Sequence, residues 1–108
     1  KIYTENILLE EHFAFLETAM LNCASGKDKL KAGLPHNIKI GHKTGHSDRT
    51  ADGVQICDAD AGVIYLPCGE KCYIVVLIKD SRESDSDNAK IMADICNITY
   101  KYFTALQL

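Results

Sequence analysis

The sequence predicts an α+β fold, an antiparallel three-stranded meander flanked by an N-terminal and a C-terminal helix. Two observations carry that prediction. Apolar residues recur at helical spacing at each end of the chain, and three strand-like stretches lie between them, separated by turn-forming residues. With 108 residues, 46% of them hydrophobic and 25% charged, the chain holds one compact domain at most.

From Thr4 to Cys23 the apolar positions Leu9, Phe13, Leu16, Met20 and Cys23 step by four and three, with Glu10, Glu11 and Glu17 between them. This spacing predicts an amphipathic helix that stops at Ala24-Ser25-Gly26, Gly26 taking the left-handed conformation after the last turn. Asp28 is expected to cap one further short turn, Lys29-Leu30-Lys31, closed by Gly33-Leu34-Pro35. Ile38, Ile40 and His42 then alternate with Lys39, Gly41 and Lys43, the period of a half-buried strand entering Thr44-Gly45. A polar loop, Ser47 to Gly53, follows. Gly62 to Leu66 and Cys72 to Ile78 read as a hairpin turning at Pro67-Cys68-Gly69-Glu70. The second of these strands is apolar on both parities, so both its faces should be covered in the complete protein. Ser84-Asp85-Ser86-Asp87 is dense in cap residues, and after it Ile91, Ile95, Ile98, Tyr102 and Ala105 trace one helical stripe.

A net charge of −3 with scattered Lys and Arg argues against a nucleic-acid partner. The longest apolar run, Tyr73 to Ile78, is far too short to span a membrane, and the first residues lack the apolar core of an export signal. Five cysteines form no regular disulfide framework. Cys68 and Cys72 bracket the hairpin turn and could form a cross-hairpin disulfide, or half of a metal site with His42 and His46. Without a CxxC spacing, ordinary small apolar thiols is the preferred reading, and no metal or cofactor is expected.

The informative stretch is His42-Lys43-Thr44-Gly45-His46-Ser47-Asp48-Arg49-Thr50-Ala51-Asp52-Gly53, because Lys-Thr-Gly lies at the end of a predicted strand. Around it stand Gly26-Lys27-Asp28-Lys29-Leu30, Gly33-Leu34-Pro35, Asp58 to Ile64, Leu66-Pro67, Gly69, Lys79-Asp80-Ser81, Glu83 and Asn88. In order and spacing the whole chain, residues 1–108, resembles the C-terminal segment of the α/β domain of a class A β-lactamase, within the β-lactamase/transpeptidase-like fold. The resemblance implies a β-lactam substrate for the complete protein, a periplasmic or secreted location, and roles for individual residues. Lys43 would place a cation beside the catalytic serine and the substrate carboxylate, and Thr44 would donate its hydroxyl to that carboxylate. Gly45 would keep the strand edge bare, and the N–H of His46 would be one of two oxyanion donors. His46 departs from the Ser or Thr usual at its position, so a hydroxyl contact is lost there. Ser47 could supply a displaced hydroxyl. Arg49 resembles the arginine that anchors the carboxylate, its other reading being a solvated loop residue.

The nucleophile of this chemistry, the Ser of Ser-x-x-Lys, is missing: three residues beyond Ser25, Ser47, Ser81, Ser84 and Ser86 stand Asp28, Thr50, Ser84, Asp87 and Ala89. Ser86-Asp87-Asn88 spells a second family motif but follows Lys-Thr-Gly instead of preceding it, and reads as a helix cap. No Glu stands in the pattern of a deacylating base. The chain therefore reads as one wall of an active site, belonging to a larger hydrolase and inactive alone. The alternatives are a noncatalytic binding or structural module and a piece of a penicillin-binding transpeptidase. The resemblance places further strands beside Tyr73–Ile78, so the isolated chain is expected to self-associate through that edge or to pair there with the N-terminal segment.

Overall fold

The computed structural model describes residues 5–106. Within them the chain runs α1 (Glu10–Leu21), a short 3-10 turn (Leu30–Gly33), β1 (Ile40–His46), β2 (Gln55–Tyr65), β3 (Lys71–Ser81) and α2 (Asp85–Ala105). The three strands form one antiparallel sheet in the order β1-β2-β3, so the expected helix-flanked meander is what the chain adopts.

The pairing Thr44↔Asp60 and Asp60↔Val76 puts even-numbered residues of all three strands on one face. Ile40, Ile64, Cys72, Ile74 and Val76 from that face meet Leu30 of the 3-10 turn and Met92 and Cys96 of α2 in the core. Gly33 makes the contact with α2 close: a Cβ there would stand 2.0 Å from the carbonyl oxygen of Ala93. The side-chain amide of Asn97 donates to the Gly33 carbonyl at 2.9 Å. On the opposite face α1 lies against β1, with Gly41 admitting Met20 and the Tyr65 hydroxyl donating to Glu17 at 2.6 Å.

β2 is eleven residues long, far more than the expected Gly62–Leu66. The added length includes Asp58 and Asp60, 1% and 0% exposed, which a rule of apolar burial does not anticipate. Lys29 donates to Asp58 Oδ1 at 2.6 Å. His42 Nδ1 lies 3.0 and 3.1 Å from the two oxygens of Asp60, whose Oδ2 also accepts from the backbone N–H of Leu30 at 3.3 Å. These partners replace the water that the carboxylates lose, and they fasten the 3-10 turn to the sheet.

Other expectations need correction. The first helix begins at Glu10; Thr4 lies outside the described residues, and residues 5–9 precede the helix. It ends at Leu21 with Asn22 as its cap, although Gly26 does take the left-handed conformation at φ +66°. No residue of α1 is buried: its stripe of Phe13, Leu16 and Met20 is half-covered and Leu9 is exposed. Asp28 makes no cap to the 3-10 turn. β1 starts two residues later than expected and runs through Lys43-Thr44-Gly45 to His46. Ser84 does cap α2, accepting from the Asp87 N–H at 3.1 Å, with Asp85 and Asp87 on the positive end of the helix dipole. The stripe read from the sequence, Ile91, Ile95, Ile98, Tyr102 and Ala105, faces outward, while the sheet receives Asn88, Ala89, Met92 and Cys96. α2 is apolar along two lines, and periodicity alone does not say which one packs. β3 is likewise buried on one face only, its other face exposing Tyr73, Val75 and Leu77.

The five cysteines are free thiols. Burial pushes the Cys96 thiol up to about 12, with Cys72 and Asp60 nearby adding to the rise, and burial also raises Cys72. Thiolate is therefore scarce at both positions near pH 8. Iodoacetamide at pH 8 should label exposed Cys68 in the native protein and reach Cys96 only after denaturation; mass spectrometry finding native labelling at Cys96 would contradict this burial. A second expectation concerns the ion pair. Lys29→Met leaves the buried Asp58 carboxylate facing only the His46 imidazole and should cost about 3–5 kcal/mol in urea unfolding, and adding Asp58→Leu should recover most of that loss. Unchanged unfolding in the single variant would show the pair to be dispensable.

Candidate active site

Among the described residues β1 is an edge strand, paired with β2 on one side only. The backbone bonds Ser47 N–H to Cys57 O (2.9 Å) and Tyr65 N–H to Lys39 O (3.0 Å) set the phase of the β1–β2 ladder. Odd-numbered residues of β1 exchange hydrogen bonds with β2, and the N–H groups of Thr44 and His46 point the other way, to the open edge. A backbone donor therefore stands ready at the end of Lys43-Thr44-Gly45-His46.

Side chains dress this edge with an anion-binding set. Lys43 is exposed and its ammonium donates to the Thr44 carbonyl at 2.7 Å, which keeps the cation along the strand. A Cβ added at Gly45 would meet only Ala59 Cβ, at 4.0 Å, so the strand there is bare on its outer side. Thr44 is half-buried, and its hydroxyl shares a 2.9 Å hydrogen bond with that of Ser25.

His46 is exposed at the surface, and its ring faces two carboxylates. Nδ1 lies 3.3 Å from Asp58 Oδ1 and Nε2 lies 3.9 Å from Asp85 Oδ2, so the imidazole stands between a buried carboxylate of β2 and an exposed one at the start of α2. Ser47 and Arg49 are also engaged. The Ser47 hydroxyl accepts from the Cys57 N–H (2.9 Å) and from Gln55 Nε2 (3.0 Å) and donates to the Asp48 carbonyl (3.1 Å). Arg49 Nη2 donates to Asp85 Oδ1 (2.8 Å) and to the Glu83 carbonyl (2.7 Å), and Nη1 donates to the Gly53 carbonyl (2.8 Å). Lys43, Thr44, Gly45 and the His46 N–H thus share the open edge, while Ser47 and Arg49 tie the following loop to β2 and α2.

Sequence reasoning did not include Ser25, Lys29, Asp58 and Asp60 among the residues that shape the site. Asp58 and Asp60 carried a usable signal in their two-residue spacing. Register places them opposite His46 and Thr44 once β2 is extended. Ser25 carried no such signal, since its approach to Thr44 depends on how the segment after α1 folds back.

As a chemical device the edge can hold a carboxylate against Lys43 and Thr44 and offer an outward N–H to a carbonyl oxygen nearby. The loop beside it is held by charge. The Arg49 hydrogen bond keeps the Asp85 carboxyl below its ordinary 3.8, with weaker charge effects of Arg49, His46 and Lys29 in the same direction and slight burial opposing them. A carboxyl lowered by folding contributes its contact above its unfolded pKa and loses it as pH falls through the folded value. The Arg49–Asp85 contact should therefore be intact at pH 5 and break only below 3.8, followed by the Asp85 carboxyl resonance in an NMR titration. A midpoint at or above 3.8 would contradict it.

The chain has relatives of known kind. Residues 1–103 match the family model described as the beta-lactamase enzyme family. A β-lactamase of Bacteroides uniformis is 48% identical over 86 residues, 80% of this chain and 29% of the relative. The β-lactamase VEB-1 of Pseudomonas aeruginosa is 35% identical over 97 residues, 90% of this chain and 32% of the relative. The crystal structure of a class A β-lactamase from Bacteroides cellulosilyticus superposes with a TM-score of 0.93 at 42% identity, covering 96% of this chain and 38% of the other. The chain spans about a third of the length of these relatives.

Proposed function

The chain belongs to the class A β-lactamase family, and from that membership we propose that it is the C-terminal segment of the α/β domain of a serine enzyme that hydrolyses β-lactams. The observation that carries this reading is the Lys43-Thr44-Gly45-His46 edge with its outward N–H groups. Coverage of 29–38% of the relatives supports a piece of a larger catalytic unit, because the 108 residues contain no Ser-x-x-Lys.

In that reading each residue has a physical task. The nucleophilic serine and the base that activates the deacylating water come from outside residues 1–108. Lys43 lowers the cost of proton transfer at the serine and attracts the substrate carboxylate, and Thr44 donates its hydroxyl to the same group. Gly45 lets the lactam lie against the backbone. The N–H of His46 is one oxyanion donor, stabilising the negative charge that develops on the carbonyl oxygen, and the other comes from elsewhere. Ser47 and Arg49 border the carboxylate position; their present partners make them the frame of the loop. No helix among the described residues is long and apolar enough to cross a membrane, and a periplasmic or secreted location fits a β-lactam substrate.

The open edge of β3 and its exposed Tyr73, Val75 and Leu77 are further features of an incomplete sheet. Pairing with the N-terminal segment of the same protein is the reading of that edge we adopt, with a second copy of the chain as its competitor. A second functional reading, a noncatalytic carboxylate-binding module, draws on one observation: His46 has no hydroxyl and Ser47 and Arg49 are committed elsewhere.

Nitrocefin hydrolysis separates these readings. The complete protein should turn nitrocefin over, and Lys43→Ala should lower kcat/KM by roughly 10² to 10⁴. Residues 1–108 alone should show none. Serine-dependent turnover by those residues alone would overturn the account of an absent nucleophile, and a complete protein that binds nitrocefin without turnover would favour the module.

A further inference from the structure

We propose that Ser25 is a substrate-binding residue of this site, its hydroxyl acting with Thr44 and Lys43 on the substrate carboxylate. The proposal rests on the β-lactam reading above and assigns within it a hydroxyl that the strand itself no longer provides.

Three hydroxyl or cationic candidates near the edge are already committed or missing. His46 brings an imidazole directed at Asp58 and Asp85. Ser47 accepts two hydrogen bonds and donates one, which fills a hydroxyl's capacity. The Arg49 guanidinium faces Asp85, Glu83 and Gly53.

Ser25 is placed differently. It is exposed, and its Oγ lies 2.9 Å from Thr44 Oγ1. Two hydroxyls joined by one hydrogen bond have spent one of their two hydrogens on each other, so the pair retains a donor for a third group. Cys23 Sγ lies 3.5 Å from Ser25 Oγ and donates to the Ser25 carbonyl at the same distance, which holds the Ser25 backbone beside it.

The backbone fixes this arrangement. Gly26 stands at φ +66°, a conformation that favours glycine, and a Cβ on it would sit 2.3 Å from Thr44 Cγ2. The segment therefore presses onto Thr44 only because position 26 has no side chain, and Ser25 is delivered to Thr44 by that approach. Ser25 and Lys43 also line one cavity of about 310 Å³, together with Cys23, His42 and the apolar side chains of Leu16 and Met20. Ser25 and Lys43 thus border one space, beside the Thr44 carbonyl that the Lys43 ammonium meets.

The test uses the complete protein and the variants Ser25→Ala and Ser25→Thr. With nitrocefin, Ser25→Ala should raise KM roughly 5- to 20-fold, the loss of one hydrogen bond to a charged group, with kcat within about twofold. Ser25→Thr should restore KM to within about twofold of the parent. Nitrocefin with its carboxylate esterified should not distinguish Ser25→Ala from the parent. A fall in kcat at unchanged KM, or equal losses with the free acid and the ester, would overturn the assignment. A parallel measurement needs no turnover: phenylacetate titrated against the Thr44 and Gly45 amide resonances should bind the Ser25→Ala protein more weakly by about fivefold. If the parent protein hydrolyses nothing while phenylacetate still discriminates the variants, the β-lactam reading fails and Ser25 stands. Equal phenylacetate binding by parent and variant would remove Ser25.

Discussion

Two carboxylates buried in the middle of a strand are the constraint around which the rest of the molecule is arranged. Asp58 and Asp60 sit on the covered face of β2, where ionised groups survive only if paired. Their partners come from both neighbouring segments: Lys29 and the Leu30 N–H at the start of the 3-10 turn, His42 and His46 from β1. Meeting that requirement brings the turn onto the sheet, inserts Leu30 into the core and brings Gly33 against α2. Polar pairing thus sets the register in which apolar packing operates.

The same requirement shapes the open edge. β1 is held from beneath by His42–Asp60 and His46–Asp58, so its backbone is fixed while its outer side stays free. The segment Ser25–Lys29 is anchored at Lys29 and passes directly over Thr44, with Gly26 at the point of contact. A rigid strand with free N–H groups, a cation alongside and a hydroxyl pair above it suits recognition of an anionic group next to a carbonyl. In the family to which the chain belongs, this edge would be the part of the site that receives substrate, with the attacking group arriving from outside residues 1–108.

Much of this was legible in the residues. Lys43-Thr44-Gly45 at a strand end, the cap at Ser84 and the hairpin around Gly69 are local signals, and local signals survive without tertiary information. The burial of Asp58 and Asp60 was not legible, because their partners lie 29 and 18 residues away in the chain and a charged residue read alone belongs on the surface. The outward stripe of α2 was misassigned for a related reason. Ile91, Ile95 and Ile98 form as apolar a line as Ala89, Met92 and Cys96, and it is the tight approach of Gly33 to Ala93 that turns the second line to the sheet. Ser25 escaped notice because a serine in a connecting segment becomes a site residue only through the fold of that segment.

What unifies the fold and the proposed chemistry is the claim that the outer edge of β1 is where substrate lies. A crystal structure of the complete protein carrying a bound β-lactam tests it most directly. The account predicts the β-lactam carboxylate within hydrogen-bonding distance of Lys43 Nζ, Thr44 Oγ1 and Ser25 Oγ, with the lactam carbonyl oxygen on the His46 N–H. A carboxylate held at a position remote from Lys43 and Thr44, or a carbonyl oxygen directed away from β1, would contradict it.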